Sequence, residues 1–234
     1  RHPNILQFFE DGAYEHGFFY TMEYCNGGSL RELVKSRGGV LPWEEAVPLA
    51  IQALDALAYA HNARLKARIQ GNNWEEVTGI VHRDLKPENI FISGDYPQNA
   101  IVKVADMGLA RAFETAGKSS KAFSEGNMLA GTPEFMPREQ LIDFRGLKPV
   151  SDVWAMAATL YNVMTGYYPR DFPKGMDRVN VVLSQPVIPI LNRGANIPER
   201  LAEIIDFALN EDVKDRFQTA AAFRDALRLF MKNQ

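Results

Sequence analysis

His82-Arg83-Asp84-Leu85-Lys86-Pro87-Glu88-Asn89 decides how the rest of this chain is read. Taken one at a time, its residues have ordinary explanations. An aspartate after an arginine is usually a surface ion pair, and an asparagine ahead of a strand is usually a turn residue. Eight prescribed residues in this order arise by chance in a chain of this length on the order of once in 10⁸ for equal residue frequencies.

On the amino-terminal side, Ile5 to Tyr24 is rich in aromatic and branched residues, with a turn signal at Asp11-Gly12, and predicts two strands in a hairpin. Ser29-Leu30-Arg31-Glu32 has the spacing of a capping box, so a short helix should start there. Val47, Ile51, Leu54, Ala58 and His61 repeat at four- and three-residue steps, the stripe of an amphipathic helix. Pro48 falls within that stripe and marks a late start or a kink. Asn62 to Thr78 turns polar, with Gly71-Asn72-Asn73 as a breaker, and reads as a surface excursion.

On the carboxyl-terminal side, short strands are expected at Gly79 to His82, Asn89 to Ile92 and Ala100 to Ala105. Asp106 to Glu139 lacks sustained periodicity and predicts a long loop. Ser151 can cap a helix that runs to about Met164 and is ended by Gly166. Its apolar residues cover most of the circumference, so it should be the buried post of a helical domain. Two amphipathic helices follow, one with Leu201, Ile204, Ile205 and Ala208, the other capped by Thr219 with Phe223, Leu227 and Phe230 facing inward.

The chain has 234 residues, 46% of them hydrophobic, enough to bury a sizeable core. Its net charge of -3 provides no broad positive field, which argues against nucleic acid or an anionic membrane as partner. Cys25 is the only cysteine, which excludes an internal disulfide and a multi-cysteine zinc site and fits a reducing compartment such as the cytoplasm. No apolar run approaches the ~18 residues of a membrane span.

The stretch from His82 to Asn89 resembles the catalytic loop of eukaryotic-type serine/threonine protein kinases. The order of other segments agrees. Met22-Glu23-Tyr24-Cys25 resembles the kinase hinge, and Asp106-Met107-Gly108 the metal-binding segment. Gly131-Thr132-Pro133-Glu134 resembles the substrate-binding end of an activation segment, and Asp152-Val153-Trp154 the start of the buried helix. The later helices have a weak likeness to bacterial members.

The resemblance implies a mainly α fold with short β strands, a kinase-like C-lobe built as a helical bundle around a central helix, with the N-lobe largely missing. Residues 1–24 would be an N-lobe remnant with the start of the hinge. Residues 25–234 would form the C-lobe, with the catalytic loop at 82–89 and the activation segment at 106–139. The implied cofactors are ATP and Mg²⁺, with Mn²⁺ as a substitute, and the implied partner is a protein with a Ser or Thr acceptor.

The same resemblance distributes roles. Asp84 would orient the acceptor hydroxyl and take its proton, Lys86 would neutralise charge on the γ-phosphoryl oxygens, and Asn89 and Asp106 would supply hard oxygen ligands to the metal. Thr132 would hydrogen-bond Asp84 and Lys86. The nucleotide would meet Met22, Glu23, Cys25, Ser29, Glu88 and Phe91. His82 would pack in the core, and Arg83 would receive a phosphate carried by a loop hydroxyl among Thr115, Ser119, Ser120 and Ser124. Asp152 would anchor the catalytic loop, and Glu139 with Arg216 would form an ion pair.

Three departures from the family pattern stand out. No glycine-rich loop, strand lysine or helix glutamate is present, and the chain starts at Arg1 without an initiator methionine, so the expectation is a fragment that is inactive alone. Met107 replaces the usual phenylalanine. Arg138, in Pro137-Arg138-Glu139, takes a proline's place, which predicts weaker docking of the activation segment. Two other readings stand beside the active kinase: a pseudokinase scaffold and a small-molecule phosphotransferase.

Overall fold

In the computed structural model, which describes residues 1–14, 17–68, 74–107, 132–144, 146–194 and 196–234, the chain opens on an antiparallel hairpin. Strands β1 (Phe8–Tyr14) and β2 (Gly17–Met22) pair from Phe8↔Met22 to Tyr14↔Gly17. The expected turn at Asp11-Gly12 is absent, since both residues lie inside β1 opposite Tyr20 and Phe19. Gly12 serves close approach instead: a Cβ there would stand 2.5 Å from a Phe19 ring carbon.

The capping box forms as the sequence predicts. The Ser29 hydroxyl accepts from the Glu32 amide and the Glu32 carboxylate accepts from the Ser29 amide, starting α1 (Leu30–Ser36). Helix α2 (Trp43–His61) starts five residues before Pro48 and runs through it, so the proline marks no late start. Where a surface excursion was expected, β3 (Arg64–Arg68) and β4 (Trp74–Thr78) form a second hairpin. Gly71-Asn72-Asn73 lies outside the described residues.

Gly79 to His82 is not a strand, because its amides are already committed. Gly79 and Ile80 donate to Ala63 and Ala60 at the end of α2, and His82 donates to Asp152. The two following strands do form, as β5 (Ile90–Ser93) and β6 (Ile101–Val104), paired antiparallel.

Helix α3 (Arg138–Ile142) precedes α4 (Pro149–Thr165), the central post. Every residue of α4 from Val150 to Thr165 is buried, and Trp154 donates its indole N–H to the Leu209 carbonyl at 3.1 Å. The helix begins before the expected Ser151 cap, because Pro149 at its first position has no amide to satisfy. Gly166 ends it in the left-handed conformation at φ 74°.

Around this post pack α2, α6 (Glu199–Ala208) and α7 (Ala220–Lys232), with α5 (Arg178–Ser184) to one side. Thr219 caps α7 through the Ala222 amide, and Phe223, Leu227 and Phe230 are buried as the stripe predicts. Burial of each such side chain contributes about 1.5–3 kcal/mol. Among the described residues no helix is long and apolar enough to cross a membrane.

Candidate active site

The His82 to Asn89 loop follows β4, starts beside the end of α2, where Ile80 donates to the Ala60 carbonyl, and is held from beneath by α4. Asp152, in the first turn of α4, accepts from the amides of His82 at 2.8 Å and Arg83 at 3.0 Å and from the His61 ring at 2.8 Å. Burial, the largest influence, would raise its pKa. The hydrogen bond and charge of His61, followed by the backbone amide of His82, outweigh burial and hold the carboxyl below the usual range. His61, the last residue of α2, is a partner of Asp152 that no spacing in the sequence announces.

Arg83 has φ 73°, a left-handed conformation that is costly for a residue with a side chain. Its amide is held by Asp152 and its carbonyl accepts from Gln140 at 2.7 Å, so both ends of the strained residue are tied. Its guanidinium lies 5.0 Å from the centre of the Phe144 ring.

Above that anchor the polar side chains converge. Lys86 Nζ stands 2.8 Å from Asp84 Oδ2 and donates to Thr132 Oγ1 at 2.9 Å. Asn89 Nδ2 donates to the Asp84 carbonyl at 2.7 Å and to Asp84 Oδ2 at 3.1 Å. With its amine engaged, Asn89 keeps an amide oxygen for another partner. Asp106 is brought to the same place through its neighbour, since Ala105 donates to the Asn89 carbonyl at 2.9 Å and accepts from His82 Nε2 at 2.8 Å. His82 Nδ1 accepts from the Asp84 amide, which fixes the proton on Nε2. Asp106 is exposed, with φ 56°.

The donor set suits a hard divalent cation: the amide oxygen of Asn89 and the exposed carboxylate of Asp106 are oxygen ligands, and a nucleotide's phosphates would complete the shell. Gly108, Gly131 and the loop hydroxyls Thr115, Ser119, Ser120 and Ser124 lie outside the described residues.

The hinge-like segment borders this cluster. Gly27 donates to the Ile92 carbonyl and Ile92 to that of Gly28, while Ser29 bridges to Phe91, so residues 27–29 lie along β5. Met22 is 36% exposed at the end of β2, and Glu23 pairs with Lys103 at 2.6 Å. Cys25 is buried, and burial with the nearby Glu23 charge pushes its thiol up despite Lys103, as suits a packing residue. The Ser29 hydroxyl also donates to Glu32, so it is spent on the helix cap. Glu88 pairs with Arg31 at 2.7 Å, and Arg31 also reaches Asn162 at 3.1 Å. Sequence reading missed that link, whose partners are 131 residues apart.

Past Thr132 the chain is fastened to the helical body. Arg216 NH2 lies 3.0 Å from Glu139 Oε2, and Ser151 donates to the other Glu139 oxygen at 2.9 Å. None of the buried Arg216 nitrogens makes an aligned hydrogen bond, so the contact with Glu139 is one of charge more than of direction. Arg138, expected to weaken docking, donates to the carbonyls of Val182 at 2.9 Å and Gln185 at 2.7 Å. Arg178 makes a close ion pair with the buried Glu134.

A helical body surrounds one buried post, and acid, lysine and amide are gathered on a single loop at its edge. The protein kinase domain family matches residues 1–227, and the chain belongs to that family. Similar proteins include the serine/threonine-protein kinase pkn3 of Myxococcus xanthus, 31% identical over all of this chain and 40% of its own length. The serine/threonine-protein kinase PrkC of Bacillus subtilis is 30% identical over 94% of this chain and 30% of its own length. The chain thus spans well under half the length of these curated relatives. The crystal structure of Rad53 1-466 in complex with AMP-PNP is alike in fold, with a TM-score of 0.71 at 23% identity over 97% of this chain and 50% of that one.

Proposed function

We propose that this chain is the catalytic C-lobe, inactive alone, of a protein that transfers the γ-phosphoryl group of ATP to Ser or Thr hydroxyls of proteins, at the cluster of Asp84, Lys86, Asn89, Asp106 and Thr132. The observation that carries the reading is Lys86 bridging Asp84 and Thr132 at 2.8 and 2.9 Å. Kinases of this family use ATP with a divalent metal, and Asn89 and Asp106 are the residues that would hold it. The metal would neutralise phosphate charge. Asp84 orients the acceptor hydroxyl and takes its proton as the new oxygen–phosphorus bond forms and the bond to the ADP oxygen breaks. Lys86 offsets charge on the transferring group, and Thr132 holds Lys86 and the peptide-facing segment in register.

The adenine edge meets the Glu23 carbonyl and the Cys25 amide, which the described backbone bonds leave over: Glu23 uses its amide toward Gln7, and Cys25 its carbonyl toward Gly28. Met22 and Phe91 flank the ring, and Ser29 and Glu88 border the sugar end. Arg83 receives a phosphate on the activation segment, and the Glu139–Arg216 pair ties that segment down. Residues 1–24 belong with the nucleotide-covering lobe and residues 25–234 form the C-lobe. Transfer at full rate needs a glycine-rich loop and a phosphate-contacting lysine, which these 234 residues do not supply. The setting is cytoplasmic, supported by the lone cysteine and near-neutral charge, with no nucleic-acid or membrane contact by this segment.

The test follows labelled γ-phosphate from ATP into proteins and into small metabolites, with the full-length wild type and Asp84→Asn side by side. Protein labelling that collapses in the variant is the expected result. Labelling of metabolites alone would move the function to a small-molecule phosphotransferase, and labelling unchanged by the substitution would remove Asp84 from the chemistry.

A further inference from the structure

Helix α5 has seven residues, and isolated helices shorter than about 12 residues are marginal in water. Its placement therefore depends on tertiary contacts, and two of them go to the segment that begins at Thr132. At its first residue, Arg178 pairs with Glu134. At its far end, the Val182 and Gln185 carbonyls belong to the group that a helix cannot satisfy internally, and Arg138 donates to both. Glu211 stands 3.6 Å from Arg138 and 2.6 Å from the buried Arg170, which itself donates to the Gln185 and Met136 carbonyls.

We propose that Arg138 is a positioning residue that clamps α5 to the 132–139 segment and so sets the platform on which a protein substrate lies. The clamp is a pair of parallel staples. Glu134 and Arg138, four residues apart on the segment, hold the two ends of α5. A proline at 138 has no side-chain donor and would leave the Val182 carbonyl without its arginine and the far end held to the segment by Arg170. Because Thr132 at the start of the segment is bonded to Lys86, a shift of α5 moves the acceptor peptide relative to the transferring group while the nucleotide contacts stay in place.

This inference rests on the phosphotransfer reading, and its test separates the two. In the full-length protein, Arg138→Ala, Arg138→Lys and Arg138→Pro are compared with wild type by initial rates at varied protein substrate and at varied ATP. Amide exchange across residues 181–185 is followed in parallel. Position 138 is the first residue of α3, where proline is well tolerated, so Arg138→Pro keeps the fold while removing the donors. The expected outcome for Ala and Pro is a KM for protein substrate raised about fivefold or more, with kcat and the KM for ATP within about twofold and with faster exchange at 181–185. Lys, still a donor, restores part of the loss. An unchanged KM for protein substrate, or a fall in both activities that merely tracks the melting temperature and is not relieved by Lys, would overturn the clamp. Should the wild type transfer no phosphate at all, the phosphotransfer reading falls, and unchanged exchange in Arg138→Ala would then dispose of the clamp independently.

Discussion

The carboxylate of Asp152 lies 2.8 Å from the backbone amide of His82, 70 residues away in sequence. It also holds Arg83 and His61, so a single buried side chain in the first turn of α4 sets the shape of the loop that carries Asp84, Lys86 and Asn89. The position near the helix amino terminus suits a negative charge. The shape of that loop thus originates in a helix whose residues from Val150 to Thr165 are all buried.

Replacing Asp152 with Asn turns part of an acceptor into a donor facing donors. We expect a loss of at least about 1.5–3 kcal/mol, the worth of one hydrogen bond to a charged group. The carboxyl's pKa is lower in the folded protein than its ordinary value. Its contribution to stability is therefore fully present above the unfolded value of about 3.9 and is lost as pH falls through the lower, folded one. Thermal melts of wild type and Asp152→Asn should differ widely at pH 7 and draw together below about pH 4. A gap that stayed constant into acid would exclude the charged form as the source.

Arg216→Ala should lower the melting temperature far more than Arg200→Ala, an exposed control. Loss of the arginine strands the Glu139 charge, for a cost of about 3–5 kcal/mol when such a pair is buried. Equal melting temperatures for the two variants would mean that the Glu139–Arg216 contact holds nothing.

Much of this was legible beforehand, and the exceptions have physical causes. The Ser29 capping box, the Thr219 cap and the largely apolar post around Trp154 are local patterns, and they formed as the sequence predicts. Gly12 gave a turn signal but serves a close approach to Phe19, which depends on the partner strand. Arg64-Leu65-Lys66-Ala67-Arg68 does alternate as a strand should, yet its polar composition hid the second hairpin. Ser151, taken for a cap, instead bonds Glu139. Arg138, Arg178 and Arg31 act on partners tens of residues away, and no spacing in a single sequence encodes such pairs.

Thr132→Val removes the hydroxyl that Lys86 holds while preserving volume. A hydrogen bond to a charged group is worth about 1.5–3 kcal/mol, so kcat for protein phosphorylation should fall roughly 10- to 100-fold. The melting temperature should change little. An unaltered kcat would detach Thr132 from the reacting cluster.

Lys86→Ala should lower kcat by about 10²–10³-fold and leave the KM for ATP nearly unchanged, because charge neutralisation matters most as the phosphoryl group transfers. A loss confined to KM would make Lys86 a ground-state binding residue instead.

In the proposed mechanism Asp84 and Asp106 act on one and the same nucleotide phosphate. The direct measurement is single-turnover phosphoryl transfer by the full-length protein with Asp84→Asn, Asp106→Asn and the double variant. Each single change should cost at least about 10²-fold, and the double should cost no more than about threefold beyond the worse single, because groups acting as a unit are not additive. Losses that multiply, or a single variant within about twofold of wild type, would contradict it.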